Sequence, residues 1–218
     1  MELVKIIESF IASASEGPNW DFKQVWYHNN ADMLKDILCM ANNATQNMRD
    51  GYIIIGVEDK TYNIIGVAED KQRKNKENII GFLSEQSWSG EEIPMIDVQT
   101  VTIRNKEIDV IIIFNSDKTP FYLLKDYEKN DSGGRNKVVV RAGVVYSRVG
   151  DRNTSSAACA TKDSVEFLWK KRFGLAGTDE FKVIKRLQDA ENWYTVDEGE
   201  TFYNRQYSDI QIRQDKHW

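Results

Sequence analysis

A chain of 218 residues, 41% hydrophobic and 29% charged with only 3 prolines, is long enough for one domain plus an appendage, and its composition excludes disordered, collagenous and low-complexity classes. Two cysteines, Cys39 and Cys159, exclude a disulfide framework, and two histidines, His28 and His217, exclude a His-rich metal centre, so a reducing, cytoplasmic setting is expected. The formal net charge of -5 argues against an indiscriminate polyanion binder, yet residues 71–178 are net basic while the segments on either side are net acidic.

Leu3, Val4, Ile6, Ile7, Phe10 and Ile11 recur at three- and four-residue spacing and predict an amphipathic helix, stopped by "EGPN" at residues 16–19. In "WDFKQVW", Trp20 and Phe22 alternate with Asp21 and Lys23, which predicts a half-buried strand carrying Asp21 and Lys23 on one face. Asn30 is expected to cap a second helix with the face Leu34, Ile37, Leu38 and Ala41, ended by the Asn-rich "NNATQNMRDG". Residues 52–57 read as a strand buried on both faces, followed by a short strand at 64–67, the basic loop "KQRKNK" and a helix bearing Ile79, Ile80 and Leu83. "IDVQTVTI", "RNK" and "EIDVIIIF" form the clearest hairpin. Further strands are expected at 121–124, 137–141 and 144–148, with "DSGG" as a turn, and then a helix over 162–172 stopped by Gly174.

Near Thr178, "TDE" reads as opening another short helix, and "NWYTV", "DEGE" and "TFYNR" as a further hairpin. The alternating "SDIQIRQ" either pairs back on that hairpin or belongs to a longer protein, and truncation is the favoured reading. The expected fold is α+β, a mostly antiparallel sheet flanked by helices over residues 1–175, with a small helix-hairpin appendage over 176–218. No apolar run approaches the ~20 residues that span a bilayer, and the N-terminus lacks signal-peptide features.

"GYIIIG" has the glycine spacing of a phosphate loop but is followed by "VED" where Lys and Ser or Thr are required. There is no G-x-S-x-G elbow and no H-E-x-x-H. His28 reads as a surface or structural residue rather than a catalyst, and Cys39 as core packing. What remains is a set of carboxylates beside strands, Glu16, Asp21, Glu58 and Asp59, with Lys23 on the face of Asp21. Hard oxygen ligands of this kind hold Mg²⁺ or Mn²⁺ for phosphodiester cleavage, and a lysine offsets developing charge; acidic residues at strand ends also simply face water.

"EGPNWDFK", "LCMAN", "GYIIIGVEDK", "NIIGV", "TPFYL" and "VYSRVGDRNTSS", in this order and spacing, resemble the Schlafen AlbA-type domain over residues 11–172. That resemblance implies a nucleic-acid-binding module. In animal Schlafens it is duplicated into a clamp that cleaves transfer and ribosomal RNA with a three-carboxylate metal site. It places the metal ligands on Glu16, Asp21 and Asp59, with Asp21 standing where a Glu is expected and reaching one methylene less far. With one copy of the module, a full clamp needs a homodimer or further chain. Some prokaryotic members are joined to a helix-turn-helix unit or associated with phage defence.

Phosphate contacts are expected from Lys23, from Lys71, Arg73, Lys74 and Lys76 in the basic loop, and from Arg141, Arg148 and Arg152, with Arg148 on a strand facing a groove. Asn42 is expected to cap its helix or brace a strand turn. Trp20, Trp26, Tyr27 and Trp88 are candidates to stack unpaired bases, although alternation assigns Trp20 to the core. Two functions remain open: a metal-dependent endoribonuclease acting on structured RNA such as tRNA, with Glu16, Asp21, Asp59 and Lys23 as its centre, and a non-catalytic DNA- or RNA-binding module. A nucleotide-binding regulator ranks last.

Overall fold

The alternating "WDFK", the apolar runs of "GYIII" and "KEIDVIII", and "IDVQTVTI" build the central sheet. In the computed structural model, which describes residues 2–44, 49–130, 136–176, 187, 190–196, 201–205 and 211–213, the sheet has the order β1-β2-β4-β3. Strand β1 is Trp20–Lys23, β2 Gly51–Ile55, β3 Ile96–Ile103 and β4 Lys106–Ile113. The β1–β2 pair is parallel, because helix α2 (Asn30–Ala41) crosses between them, and the other two pairs are antiparallel. Arg104 and Asn105, both at positive φ (50° and 60°), make the tight β3–β4 turn where the sequence places it.

Each face of the sheet is covered. Helix α1 (Glu2–Ala12) puts Ile7 and Ile11 against Phe22, Ile54, Val110 and Ile112, and Trp20 stacks on Phe10 with ring centroids 4.3 Å apart. The opposite face packs Ile53, Ile55, Ile111 and Ile113 against α2 and against Ile79 and Leu83 of α3 (Lys76–Ser84). Side chains removed from water this fully contribute ~1.5–3 kcal/mol each. Helix α2 is buried on more than its apolar stripe, including Asp36, and this encloses the polar centre described below.

The remaining elements are short. Strands β5 (Tyr127–Asn130) and β6 (Asn136–Val140) pair, as do β7 (Arg148–Val149) and β8 (Arg152–Asn153), and helix α4 (Lys162–Arg172) ends before Gly174 at φ 68°. Several expectations are corrected. Asn29, not Asn30, caps α2: its extended backbone lets its side chain accept the Asp32 N–H at 2.9 Å. The strands expected at 64–67 and 121–124 reduce to single bridges, Val57 to Ile64 and Trp88 to Leu123, and the one at 144–148 to Arg148 alone. There a side chain replaces the ladder. Asn42 accepts the Phe121 N–H at 2.7 Å and donates to the carbonyls of Phe121 (2.7 Å) and Tyr146 (2.9 Å), the bracing role expected of it.

The chain divides into two compact units, Met1–Phe173 and Gly174–Trp218. In the second, β9 (Trp193–Thr195) and β11 (Gln211–Arg213) flank β10 (Thr201–Asn204) in an antiparallel sheet, so the alternating segment near the end does pair back on its hairpin. The "DSGG", "TDE" and "DEGE" segments, residues 45–48 of the Asn-rich run and His217 lie outside the described residues. Among the described residues no helix is long and apolar enough to cross a membrane.

Candidate functional site

Strand alternation turns Asp21 and Lys23 to one face, as the sequence predicts, but that face is the α2 side and is covered too, and the loop before β1 brings Glu16 back over the strand, where the Phe22 N–H donates to its Oε1 at 3.1 Å. Lys23 Nζ lies 2.5 Å from Asp21 Oδ2 and 3.4 Å from Asp36 Oδ2. Arg148, only 1% exposed, is the second cation there. Its Nη1 reaches Asp21 Oδ1 (3.1 Å) and Asn153 Oδ1 (2.9 Å), its Nε the Gly17 carbonyl (3.0 Å), and its Nη2 the Trp20 carbonyl (3.0 Å), with Glu16 Oε2 at 3.8 Å. Asp36 accepts from the Tyr27 hydroxyl at 2.8 Å and from Asn153 Nδ2 at 2.9 Å.

Burial, and then the neighbouring Asp21, raise the Glu16 carboxyl above its ordinary value against the pull of the Phe22 N–H, Arg148 and Lys23. Burial opposes the charge on Lys23, but Asp36, Asp21 and Glu16 outweigh it and hold the ammonium above the ordinary lysine value. Burial and Asp36 likewise keep the Tyr27 hydroxyl protonated well past its usual range. Three carboxylates and two cations thus form one partly enclosed network.

Asp59 is not in it. It lies exposed in the turn after β2, closed by hydrogen bonds from the Tyr62 N–H to the Glu58 carbonyl (2.9 Å) and from the Glu58 N–H to the Asn63 carbonyl (3.0 Å). Among the described residues no group of three His, Cys, Asp or Glu side chains is placed to hold a metal ion. In this arrangement Glu16, Asp21 and Asp59 do not fit a three-carboxylate site.

The expected phosphate contacts divide in two. Arg148 faces inward rather than into a groove, because four hydrogen-bond acceptors consume its guanidinium. Arg73 is also engaged: Nε and Nη2 reach Asp109 at 2.7 and 2.8 Å, and Nη1 reaches Glu107 at 2.7 Å. Arg141 donates to the Ala158 carbonyl at 2.7 Å, and Lys76 lies 3.0 Å from Asp97. Lys71 and Lys74 have no ion-pair partner among the described residues, and Arg152 is 91% exposed, 3.9 Å from Asp151. The aromatic candidates are all spent on packing: Trp26, Tyr27 and Trp88 are buried, and Trp20 is stacked on Phe10.

Sequence reasoning missed Asp36, Asn153 and Asp109, and offered Tyr27 for base stacking where its hydroxyl instead holds Asp36. The signal for the two aspartates was a carboxylate inside an apolar run, "MLKDILCMA" and "EIDVIIIF". Asp109, 1% exposed, accepts from Arg73, from Trp26 Nε1 (2.9 Å) and from Thr100 Oγ1 (2.6 Å).

His28 is exposed, as expected. Cys39 is fully buried in α2, which pushes its thiol up to about 12, whereas Cys159 is exposed. With Ellman's reagent at about pH 8, one thiol is expected to react in the native protein and both after denaturation. Two rapid native reactions would contradict the burial of Cys39.

The sequence profile described as Schlafen, AlbA_2 matches residues 16–157, well over half of the chain. The chain belongs to the Schlafen AlbA_2 family. Membership gives this Schlafen-family chain a nucleic-acid-related function and agrees with its α+β fold. No curated protein matches it. Among solved structures it is similar to the DIP2311 protein from Corynebacterium diphtheriae, with 22% identity and a TM-score of 0.40. That match covers 71% of this chain and 26% of the other, so the Schlafen-family chain spans about a quarter of that protein's length.

Proposed function

We propose that the chain is a non-catalytic nucleic-acid-binding module whose phosphate contacts centre on the loop at residues 71–76. One observation carries this reading. The loop is pinned from beneath by Arg73 on Asp109 and by Asp70, whose Oδ2 accepts the Trp26 N–H at 2.7 Å, while Lys71 and Lys74 point no charge at any carboxylate among the described residues. A rigid loop with uncommitted lysines orders little on binding, so its phosphate contacts lose little to entropy. Lys74 and Lys76 line an open groove of about 590 Å³ with Asn75, Asn78, Val98 and Thr100. Contacts of this type read charge rather than base identity, so RNA and DNA are both ligands.

The adjacency of Glu16 and Asp21 favours a second reading: a Mg²⁺- or Mn²⁺-dependent endoribonuclease on structured RNA such as tRNA, serving phage defence. It requires Asp59 to be brought to that pair.

Fluorescence anisotropy with labelled transfer RNA and single-stranded DNA separates the two. Binding in EDTA is expected to weaken with salt, and Lys71→Ala with Lys74→Ala to reduce affinity roughly 10-fold and flatten the salt slope by about two. Unchanged affinity in that double variant would remove the loop from the interface. RNA cleavage in Mn²⁺ that disappears on Glu16→Gln with Asp59→Ala would establish the second reading instead.

A further inference from the structure

We propose that the resident cation of the carboxylate centre is the Lys23 ammonium, positioned by Asp36, and that the centre is complete without a divalent ion. Every carboxylate there already has a cation or a hydrogen-bond donor beside it, although Asp21 Oδ2 has only its ion-pair contact with Lys23 and no hydrogen bond among the described residues. Asp21 Oδ2 lies 2.5 Å from Lys23 and Oδ1 3.1 Å from Arg148. Asp36 Oδ2 takes the Tyr27 hydroxyl and faces Lys23 at 3.4 Å, its Oδ1 takes Asn153 Nδ2, and Glu16 Oε1 takes the Phe22 N–H. A divalent ion needs several oxygens within about 2.0–2.6 Å, so it would have to displace these partners and sit beside an ammonium and a guanidinium.

The ammonium occupies the place where such an ion would be useful, between two carboxylates, and the chain itself delivers it. Lys23 is held at both ends. Its carbonyl accepts the N–H groups of Gly56 (2.8 Å) and Val57 (3.2 Å), and its amine meets Asp21 and Asp36. Asp36 is fixed in turn by buried α2, by Tyr27 and by Asn153, so it sets where the amine rests. Neither feature depends on the basic loop, so the inference stands or falls separately from nucleic-acid binding, which is read in EDTA.

Electron paramagnetic resonance of added Mn²⁺, which loses its free-ion signal on uptake, tests it on the full chain. Wild type is expected to leave the signal undiminished. Lys23→Met, which leaves Glu16 and Asp21 with Arg148 and leaves Asp36 with no cation among the described residues, is expected to gain uptake that Asp36→Asn in the same chain removes. Wild-type uptake lost in Glu16→Gln would overturn the proposal, as would a folded Lys23→Met that takes up none. Uptake that survives Glu16→Gln lies elsewhere and leaves Lys23 as the centre's cation. If circular dichroism shows Lys23→Met unfolded, the wild-type and Glu16→Gln titrations decide alone.

Discussion

Arg148→Met is expected to lower stability by about 3–5 kcal/mol, which for a chain of this size moves the melting midpoint by roughly 10 °C. Methionine fills much of the space, so the loss is not a cavity effect. Arg148 is the only cation on Asp21 Oδ1 among the described residues, and without it that oxygen is left buried. The Gly17 and Trp20 carbonyls and Asn153 Oδ1 lose a donor at the same time. These bonds tie three places far apart in sequence: the loop before β1, β1 itself and the β7–β8 hairpin. Arg148→Lys should recover only part of the loss, because one amine cannot reach four acceptors spread around a planar guanidinium. Urea unfolding followed by circular dichroism gives the answer. A methionine variant within about 1 kcal/mol of the parent would show that the network is ornamental.

The expectation that Arg148 grips phosphate failed for a reason that applies beyond this residue. An arginine in an apolar strand segment, "VYSRVG", is equally consistent with a groove-facing cation and with a buried brace, and only its partners decide. Those partners, Gly17, Trp20 and Asp21, lie about 130 residues away. Local pattern did succeed where structure is locally determined. Alternation in "WDFK" placed Trp20 and Phe22 on the α1 side and Asp21 and Lys23 on the other, and the β3–β4 hairpin and α4 follow their patterns. It failed where side chains stand in for a ladder, as Asn42 does for the backbone at Phe121 and Tyr146, since a strand-like run then has no strand beside it. Asp36 escaped because the apolar stripe Leu34, Ile37, Leu38 and Ala41 looks complete without it, and nothing in a stripe indicates that the helix is covered on its polar side as well.

The strand register links the two arginine braces. Lys23 and Asp109 are both aligned with Ile55, on the two sides of β2, and Asp21 with Ile53, so all three polar groups leave the sheet on the α2 side. One face of one sheet therefore carries both the carboxylate centre and the anchor of the basic loop. Arg148 closes the first and Arg73 the second. In each, a buried aspartate is neutralised by an arginine from a distant loop or hairpin, which converts a costly buried charge into a tie between segments.

Asp109→Ala is expected to cost about 3 kcal/mol and to weaken nucleic-acid binding roughly 10-fold, although Asp109 is only 1% exposed, at the base of the groove that Lys74 and Lys76 line. Its loss strands the Trp26 indole N–H in the core and frees Arg73, whose remaining partners, Glu107 and Thr100, lie toward the surface. The loop then has to be ordered at the moment of binding, and that entropy comes out of the affinity. Asp109→Asn keeps an acceptor for Trp26 or Thr100 but forfeits the charge that holds Arg73, so it should retain more stability than binding. Lys71→Ala with Lys74→Ala should do the reverse, losing affinity at unchanged stability because both lysines lie outside the core. Anisotropy titrations paired with thermal melts of these three proteins separate the outcomes. A folded Asp109→Ala protein that binds as well as the parent would mean that the loop needs no anchor, and that its lysines act as independent surface charges.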